Sequence, residues 1–109
     1  MAKDQNLKGH LDAMVLAIID DLPLHGYGVI EELRKRSGGV FDLPGGTVYP
    51  ALHRLERQGL IRSDRERVNG RERRIYRLSR RGRRQLSEDR SGWTEFAGAV
   101  SMVLEGSVA

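Results

Sequence analysis

The sequence predicts a mainly α-helical fold with one small β-hairpin and a long C-terminal helix. Three observations support this fold class. Apolar residues recur at the spacing of an amphipathic helix in three successive segments of the N-terminal half. An Asn-Gly pair then separates two short segments with strand-like alternation. A seven-residue apolar repeat occupies most of residues 81–109.

Two helices are expected before residue 40. The first covers residues 10–22 and ends at Pro23. Its apolar positions, spaced for one helical face, are Leu11, Met14, Val15, Ile18, Ile19 and Leu22. The second lies in "HGYGVIEELRKRSGG", where Tyr27, Ile30 and Leu33 recur at helical spacing and two glycines end the run. We therefore expect Tyr27 to lie in the core.

The third helix is expected in "GTVYPALHRLERQGLI", after the connector "VFDLPGG". A proline suits its first turn, where the backbone N–H groups have no helical partner. Val48, Leu52 and Leu55 fall on one side. The opposite side carries Pro50 and the cationic or hydrogen-bonding residues His53, Arg54 and Arg57, and Thr47 and Tyr49 lie on the two flanks. One face is thus expected to pack and the other to bind.

A β-hairpin is expected to follow, with Asn69–Gly70 as its turn, because both central positions of a type I′ turn need a positive φ. Leu60–Ile61 open one strand, and Tyr76 and Leu78 alternate along the other. Its solvent side and tip carry arginines: Arg65, Arg67, Arg71, Arg73 and Arg74. The next serine, Ser79, is placed to cap the last helix.

The last helix, about residues 81–105, is longer than a three-helix core needs. Its apolar repeat consists of Leu86, Trp93, Val100, Phe96, Val103, Ala97 and Leu104. We expect this stripe to meet another protomer. The expected homodimer interface comprises Leu11, Met14, Leu86, Trp93, Phe96, Val100, Val103 and Leu104.

The net charge of +4 conceals a concentrated basic segment. Residues 62–84 hold eleven arginines against three acidic residues. The guanidinium group stays protonated and donates bidentately to phosphate, so this segment favours contact with phosphate over a merely solvated surface.

Other classes of function have little support. The three histidines lack metal-ligand spacing, and no nucleophile elbow or phosphate-binding glycine loop occurs, so we expect no enzyme, metal or cofactor. There is no cysteine. The longest apolar run, Ala13 to Ile19, is too short to span a bilayer, and no signal peptide opens the chain, so we expect a cytoplasmic protein without a membrane partner.

Three helices followed by an Asn-Gly hairpin form the order of a winged helix–turn–helix, in which the third helix enters the DNA major groove and the hairpin follows the backbone. We assign residues 1–80 to that DNA-binding unit and residues 81–109 to a dimerisation helix. The expected contacts to double-stranded DNA are Thr47, Tyr49, Pro50, His53, Arg54, Arg57, Arg65, Arg67, Arg71, Arg73 and Arg74. A protein–protein module is the alternative, and it predicts an uncharged wing or an apolar outer face on the third helix. An RNA binder would usually offer an exposed aromatic platform on a sheet.

The stretches "LDAMVLAIIDDLPLHGYGVIEEL", "GTVYPALHRLERQGLI" and "GRERRIYRLSRRG" closely resemble the PadR family of transcriptional regulators, in its short-tailed branch with one C-terminal helix. The resemblance implies a winged-helix homodimer, usually a repressor, that a small molecule releases from operator DNA. It further implies that Tyr49 and Pro50 mark the recognition helix and that Gly70–Arg73 mark the wing tip.

The resemblance also implies that a flat aromatic or drug-like effector enters between the protomers. The residues expected to meet it are Met14, Trp93, Phe96 and Ala97. For Trp93 two interpretations stay open: it fills the interface, or it stacks directly on the effector.

Overall fold

The structure is a computed structural model that describes residues 2–106. The elements in chain order are helix α1 (Ala2–Asp21), strand β1 (Leu24–His25), helices α2 (Gly26–Arg36) and α3 (Gly45–Arg57), strands β2 (Ile61–Val68) and β3 (Arg71–Leu78), and helix α4 (Arg80–Glu105). The expected winged helix–turn–helix with a long C-terminal helix is confirmed. Residue 1 of the expected first unit and residues 107–109 of the second lie outside the described residues. No helix within residues 2–106 combines the length and apolar character needed to cross a membrane.

The core lies where α1, α2 and α3 meet the sheet. Val15 and Leu16 of α1 and Leu52 and Leu55 of α3 are fully buried there. Helix α1 differs from the expected helix at both ends, since it begins at Ala2 and ends at Asp21. Leu22 therefore lies beyond the helix and is exposed, although its spacing predicted a core position.

The hairpin is part of a three-stranded antiparallel sheet in the order β1-β3-β2. The type I′ turn is confirmed, because Asn69 and Gly70 have φ values of 53° and 78°. Strand β1 was not expected, since two residues are too short for a recognisable alternation. Its His25 pairs with Ile75 of β3. The second helix thus begins directly at the edge of the wing.

Helix α3 begins earlier than expected, at Gly45, with Pro44 as its N-cap. The glycines assigned to the connector form the first turn of the helix. Pro50 is consequently its sixth residue, beyond the turn whose N–H groups are free. The missing N–H at Pro50 leaves the carbonyl of Gly46 without its helical donor, and both residues are exposed to solvent.

Helix α4 is anchored at its start and projects beyond the core. Ser79 caps it as expected: its Oγ accepts from Gly82 N–H at 3.0 Å and donates to the carbonyl of Gly59 at 2.6 Å. Gly82 lies so close to the backbone of Leu60 that a Cβ on it would be 2.0 Å from that carbonyl oxygen. After Leu86 the helix leaves the core, and the molecule measures 62 × 28 × 22 Å.

Candidate nucleic-acid interface

The outer face of α3 carries most of the side chains that the sequence predicted for DNA contact. His53, Arg57 and Pro50 are exposed, and Thr47 is half-buried. Tyr49 is partly exposed, and its ring packs against α2, where a Cβ on Gly26 would lie 2.3 Å from the ring. The glycine is required there because the tyrosine occupies the space of a side chain.

Arg54 is engaged within the protein. Its guanidinium binds the carboxylate of Asp12 on α1, with Nη2–Oδ1 at 2.5 Å and Nε–Oδ2 at 3.4 Å. This bidentate geometry links α3 to α1. It also gives the Arg54 guanidinium, which was expected to contact DNA, a partner within the protein. Arg54 therefore helps to orient the helix, although its side chain is still 42% exposed, and His53 and Arg57 are exposed as well.

A second contact joins α3 to the wing. Ser63 of β2 donates to Glu56 of α3 at 2.5 Å and accepts from Arg74 of β3 at 2.9 Å. The same carboxylate affects the buried Tyr76, whose pKa is raised above its ordinary value first by burial and then by Glu56. The relative position of recognition helix and wing is thus fixed by a short polar chain.

The wing arginines lie on two faces of the ribbon, whereas the sequence treated them as one set. Residues directly opposite in an antiparallel pair share a face. Arg65 lies opposite Arg74, and Arg67 lies opposite Glu72 on the same face. Arg71 and Arg73, opposite Val68 and Glu66, take the other face.

Arg65 and Arg74 therefore place two positive charges directly across the ribbon, an arrangement that destabilises an isolated hairpin. The hairpin Ile61–Leu78 as a whole contains seven arginines and three acidic residues. Its positive charge exceeds what its own acids can balance, which is the electrostatic character of a phosphate-binding surface.

Two clefts lie between the recognition helix and the wing. One, of about 350 Å³, is lined by His53, Glu56, Arg57 and Arg74. The other, of about 380 Å³, lies between β3, the start of α2 and the middle of α3. Its lining is basic and aromatic, and it comprises His25, Gly26, Tyr27, Tyr49, His53, Arg71, Glu72, Arg73, Arg74 and Tyr76.

Tyr27 lines the second cleft, so its expected core position is wrong. The side chain is 56% exposed, and its ring stacks on that of His25 at 6.4 Å with an interplanar angle of 13°. Three-residue steps advance about 300° around a helix, so Tyr27 is displaced by roughly 120° from Leu33, which is buried. Tyr27 therefore lies outside the apolar face of α2.

The apolar stripe of α4 is buried at Leu86 and mostly exposed after it. Leu11 and Leu86, both expected at the interface, are buried in the core of the single chain at 5% and 2% exposure. Met14 is half-buried against the same core. The stripe beyond Leu86 leaves exposed Trp93, Phe96, Val100, Val103 and Leu104, with Met102 beside them and Ala97 half-buried.

Trp93 has neighbours on both α1 and α4. Its ring makes an edge contact with His10 of α1 at 4.8 Å between centroids and lies 6.2 Å from Phe96. The side chain nevertheless remains 53% exposed. An aromatic surface of this kind can bind a partner chain or a flat ligand, so both interpretations of Trp93 stay open.

Asp12, Ser63 and His25 are site residues that sequence reasoning missed. None has a sequence signal for these contacts, because Asp12 and Ser63 bind residues on other elements and His25 lies beside Arg73, 48 positions away. Among the described residues no group of His, Asp or Glu side chains is arranged to hold a metal ion.

The chain is similar to known proteins in family, sequence and structure. The family model described as "Transcriptional regulator PadR-like family" matches residues 15–88. Transcriptional regulator Rv3488 of Mycobacterium tuberculosis is 41% identical over 80 residues, which cover 73% of this chain and 72% of that protein.

Solved structures agree over nearly the whole chain. A PadR-like transcriptional regulator from Bacillus cereus superimposes with a TM-score of 0.84 at 29% identity, covering 94% of this chain and 99% of its own. A Streptococcus transcriptional regulator gives a TM-score of 0.81 at 31% identity, covering 91% and 96%. These alignments include α4 as well as the winged unit.

Proposed function

The chain belongs to the PadR-like family of transcriptional regulators, which bind DNA, and from that premise we propose that it is a homodimeric repressor of an inverted-repeat operator. The observation that carries the proposal is the pairing of an outward-facing basic helix with a wing whose arginines exceed its acids. His53 and Arg57 face solvent on α3. In a winged helix–turn–helix such a helix lies in the major groove, and the wing contacts the backbone.

The exposed apolar stripe of α4 supports the homodimer. A contiguous apolar surface of this kind on a small chain favours burial against another protein. A second copy is the simplest partner, because a two-fold axis presents the same stripe from both chains. The two recognition helices then meet half-sites about one helical turn apart.

An effector is proposed to act at the same interface. Trp93 and Phe96 are exposed aromatic side chains, and Met14 and Ala97 are half-buried. A flat aromatic or drug-like ligand inserted there contacts both protomers and changes the separation of the recognition helices. It then favours one half-site spacing over another and lowers affinity for the operator.

The proposal is tested by electrophoretic mobility shift with fragmented genomic DNA at physiological salt. We expect a small set of fragments to bind and to share an inverted repeat, with two chains per site. Equal affinity for every fragment would contradict a sequence-specific regulator.

The division between wing and recognition helix gives a further prediction. Arg67→Ala, in the wing, should weaken binding to operator and unrelated DNA alike and flatten the slope of log K against log salt by about 1. His53→Ala, in α3, should cost roughly 1–3 kcal/mol on the operator and little elsewhere. Affinities measured on both duplexes at several salt concentrations check this, and the same pattern for the two variants would contradict the assignment.

A further inference from the structure

His25, at the junction of β1 and α2, has its two ring nitrogens in different environments. Nδ1 accepts the N–H of Gly28 at 3.1 Å and so caps α2. A neutral imidazole that accepts at Nδ1 carries its proton on Nε2. Nε2–H is therefore a hydrogen-bond donor.

That donor faces another donor. Nε2 of His25 lies 3.4 Å from Nη1 of Arg73 on β3. A guanidinium has no acceptor atom, so two N–H groups point into one space without satisfying each other. An acceptor atom placed between the two nitrogens would satisfy both donors.

Within residues 2–106, Arg73 also forms no salt bridge with the acidic residues that lie near it on the wing. Glu66 lies directly opposite on β2, but its Oε1 is bound by Arg77 at 3.1 Å. Among the residues that the structure describes, no other carboxylate forms an ion pair with Arg73. Glu72 lines the same cleft, but it points to the other face of the ribbon, opposite Arg67.

The two donors are held in place by the fold. His25 pairs with Ile75, two residues from Arg73 on the same strand, so the two side chains share a face of the sheet. The ring of Tyr27 stacks on the imidazole, and the cap to Gly28 fixes its rotation. An oxygen about 2.9 Å from each nitrogen completes a triangle with the observed 3.4 Å separation.

We propose that His25 Nε2–H and the Arg73 guanidinium together bind one oxygen of a single DNA backbone phosphate in each half-site. A phosphate oxygen accepts from both groups, and the cleft that they line opens between the wing and α3, the two elements that contact DNA in a winged helix–turn–helix. The inference rests on the proposed function for the source of the phosphate. A free phosphate ion is the other source of the same chemistry.

His25→Asn separates the two roles of the histidine. Asparagine retains a side-chain oxygen to cap Gly28 and is too short to supply a donor at the position of Nε2. Arg73→Ala removes the second donor, and Arg62→Ala, on an exposed arginine that does not line the cleft, is the matched control. Thermal unfolding checks that each variant is folded.

The duplexes carry a neutral methylphosphonate at one backbone position at a time. We expect one position in each half-site where the substitution weakens wild-type binding about tenfold, a typical effect of losing a hydrogen bond to a charged group. That loss should be smaller in His25→Asn and in Arg73→Ala, because each variant keeps only one of the two donors, and it should be unchanged in Arg62→Ala. If no position behaves in this way, the inference is wrong.

Nitrogen-15 NMR of wild-type protein adds a test independent of any variant. We expect the Nε2–H tautomer for His25 and a shift of its Nε2 resonance on binding duplex DNA. The Nδ1–H tautomer would overturn the inference, as would a shift with inorganic phosphate alone and none with DNA. The shift of the Nε2 resonance can be measured with any duplex, so loss of operator specificity contradicts the proposed function without deciding this contact.

Discussion

Phe96→Arg should convert the protein to a monomer and lower its affinity for the operator by about 10²–10⁴-fold, the range in which linking two binding sites raises affinity. Phe96 is 59% exposed in the single chain, so the substitution leaves the chain's own core intact. At the proposed interface it places a charge where two apolar stripes meet, and an unpaired buried charge is strongly unfavourable. Sedimentation and operator titration measure the two effects.

Ser91→Arg is the control for Phe96→Arg. Ser91 is exposed on α4 about 140° around the helix from Phe96, so an arginine there adds the same charge away from the stripe. It should leave the dimer and the affinity unchanged. The emission of Trp93, the single tryptophan, should shift to longer wavelength in Phe96→Arg only. A dimer that survives Phe96→Arg would contradict the assignment of α4 to the interface.

Gly82→Ala should lower the free energy of unfolding by about 3 kcal/mol, the upper end of the usual cost of overpacking. The new Cβ would lie 2.0 Å from the carbonyl oxygen of Leu60 and 3.0 Å from Cγ of Leu78. Relief requires α4 to move away from the start of the wing, because the nearest atom is backbone and cannot rotate aside. Urea denaturation measures the loss.

Gly98→Ala is the same substitution in the same helix with the opposite expectation. A Cβ at Gly98 meets nothing within 4 Å, and the residue lies on the side of α4 away from the apolar stripe. Alanine there should raise stability by up to about 1 kcal/mol, because glycine is a poor helix residue. Equal effects at Gly82 and Gly98 would show that helix propensity, and not close packing, decides both.

The helices and the hairpin were predictable because their signals are local. Apolar spacing identified the segments of α1 and α3 that pack, and Asn69–Gly70 identified the turn whose positive φ values the structure has. Local signals are weaker at helix ends. Helix α3 begins just after Pro44, earlier than its apolar spacing indicated, so Pro50 lies beyond the first turn.

The structure places the residues predicted for DNA contact on α3 and on the wing, but their contacts within the protein could not be predicted. Arg54 and Asp12 are 42 positions apart, so nothing in either segment indicates that they bind each other. Helical spacing placed Leu11 and Leu86 on apolar faces that need to be covered, but it cannot tell whether the same chain or a partner covers them. His25 lies beside the guanidinium of Arg73 only because strand β1 pairs with β3, and β1 is too short to recognise in the sequence.

The like-charged pair Arg65–Arg74 gives salt two opposite effects on the wing. In the free protein, added ions screen the repulsion across the ribbon, so its backbone amides should exchange with solvent more slowly as salt rises. In the proposed complex with DNA, the phosphates neutralise these charges, and added ions compete with the arginines for the phosphates. High salt therefore stabilises the free hairpin and at the same time lowers its affinity for DNA. In the complex, the DNA phosphates take over the screening that salt provides in the free protein.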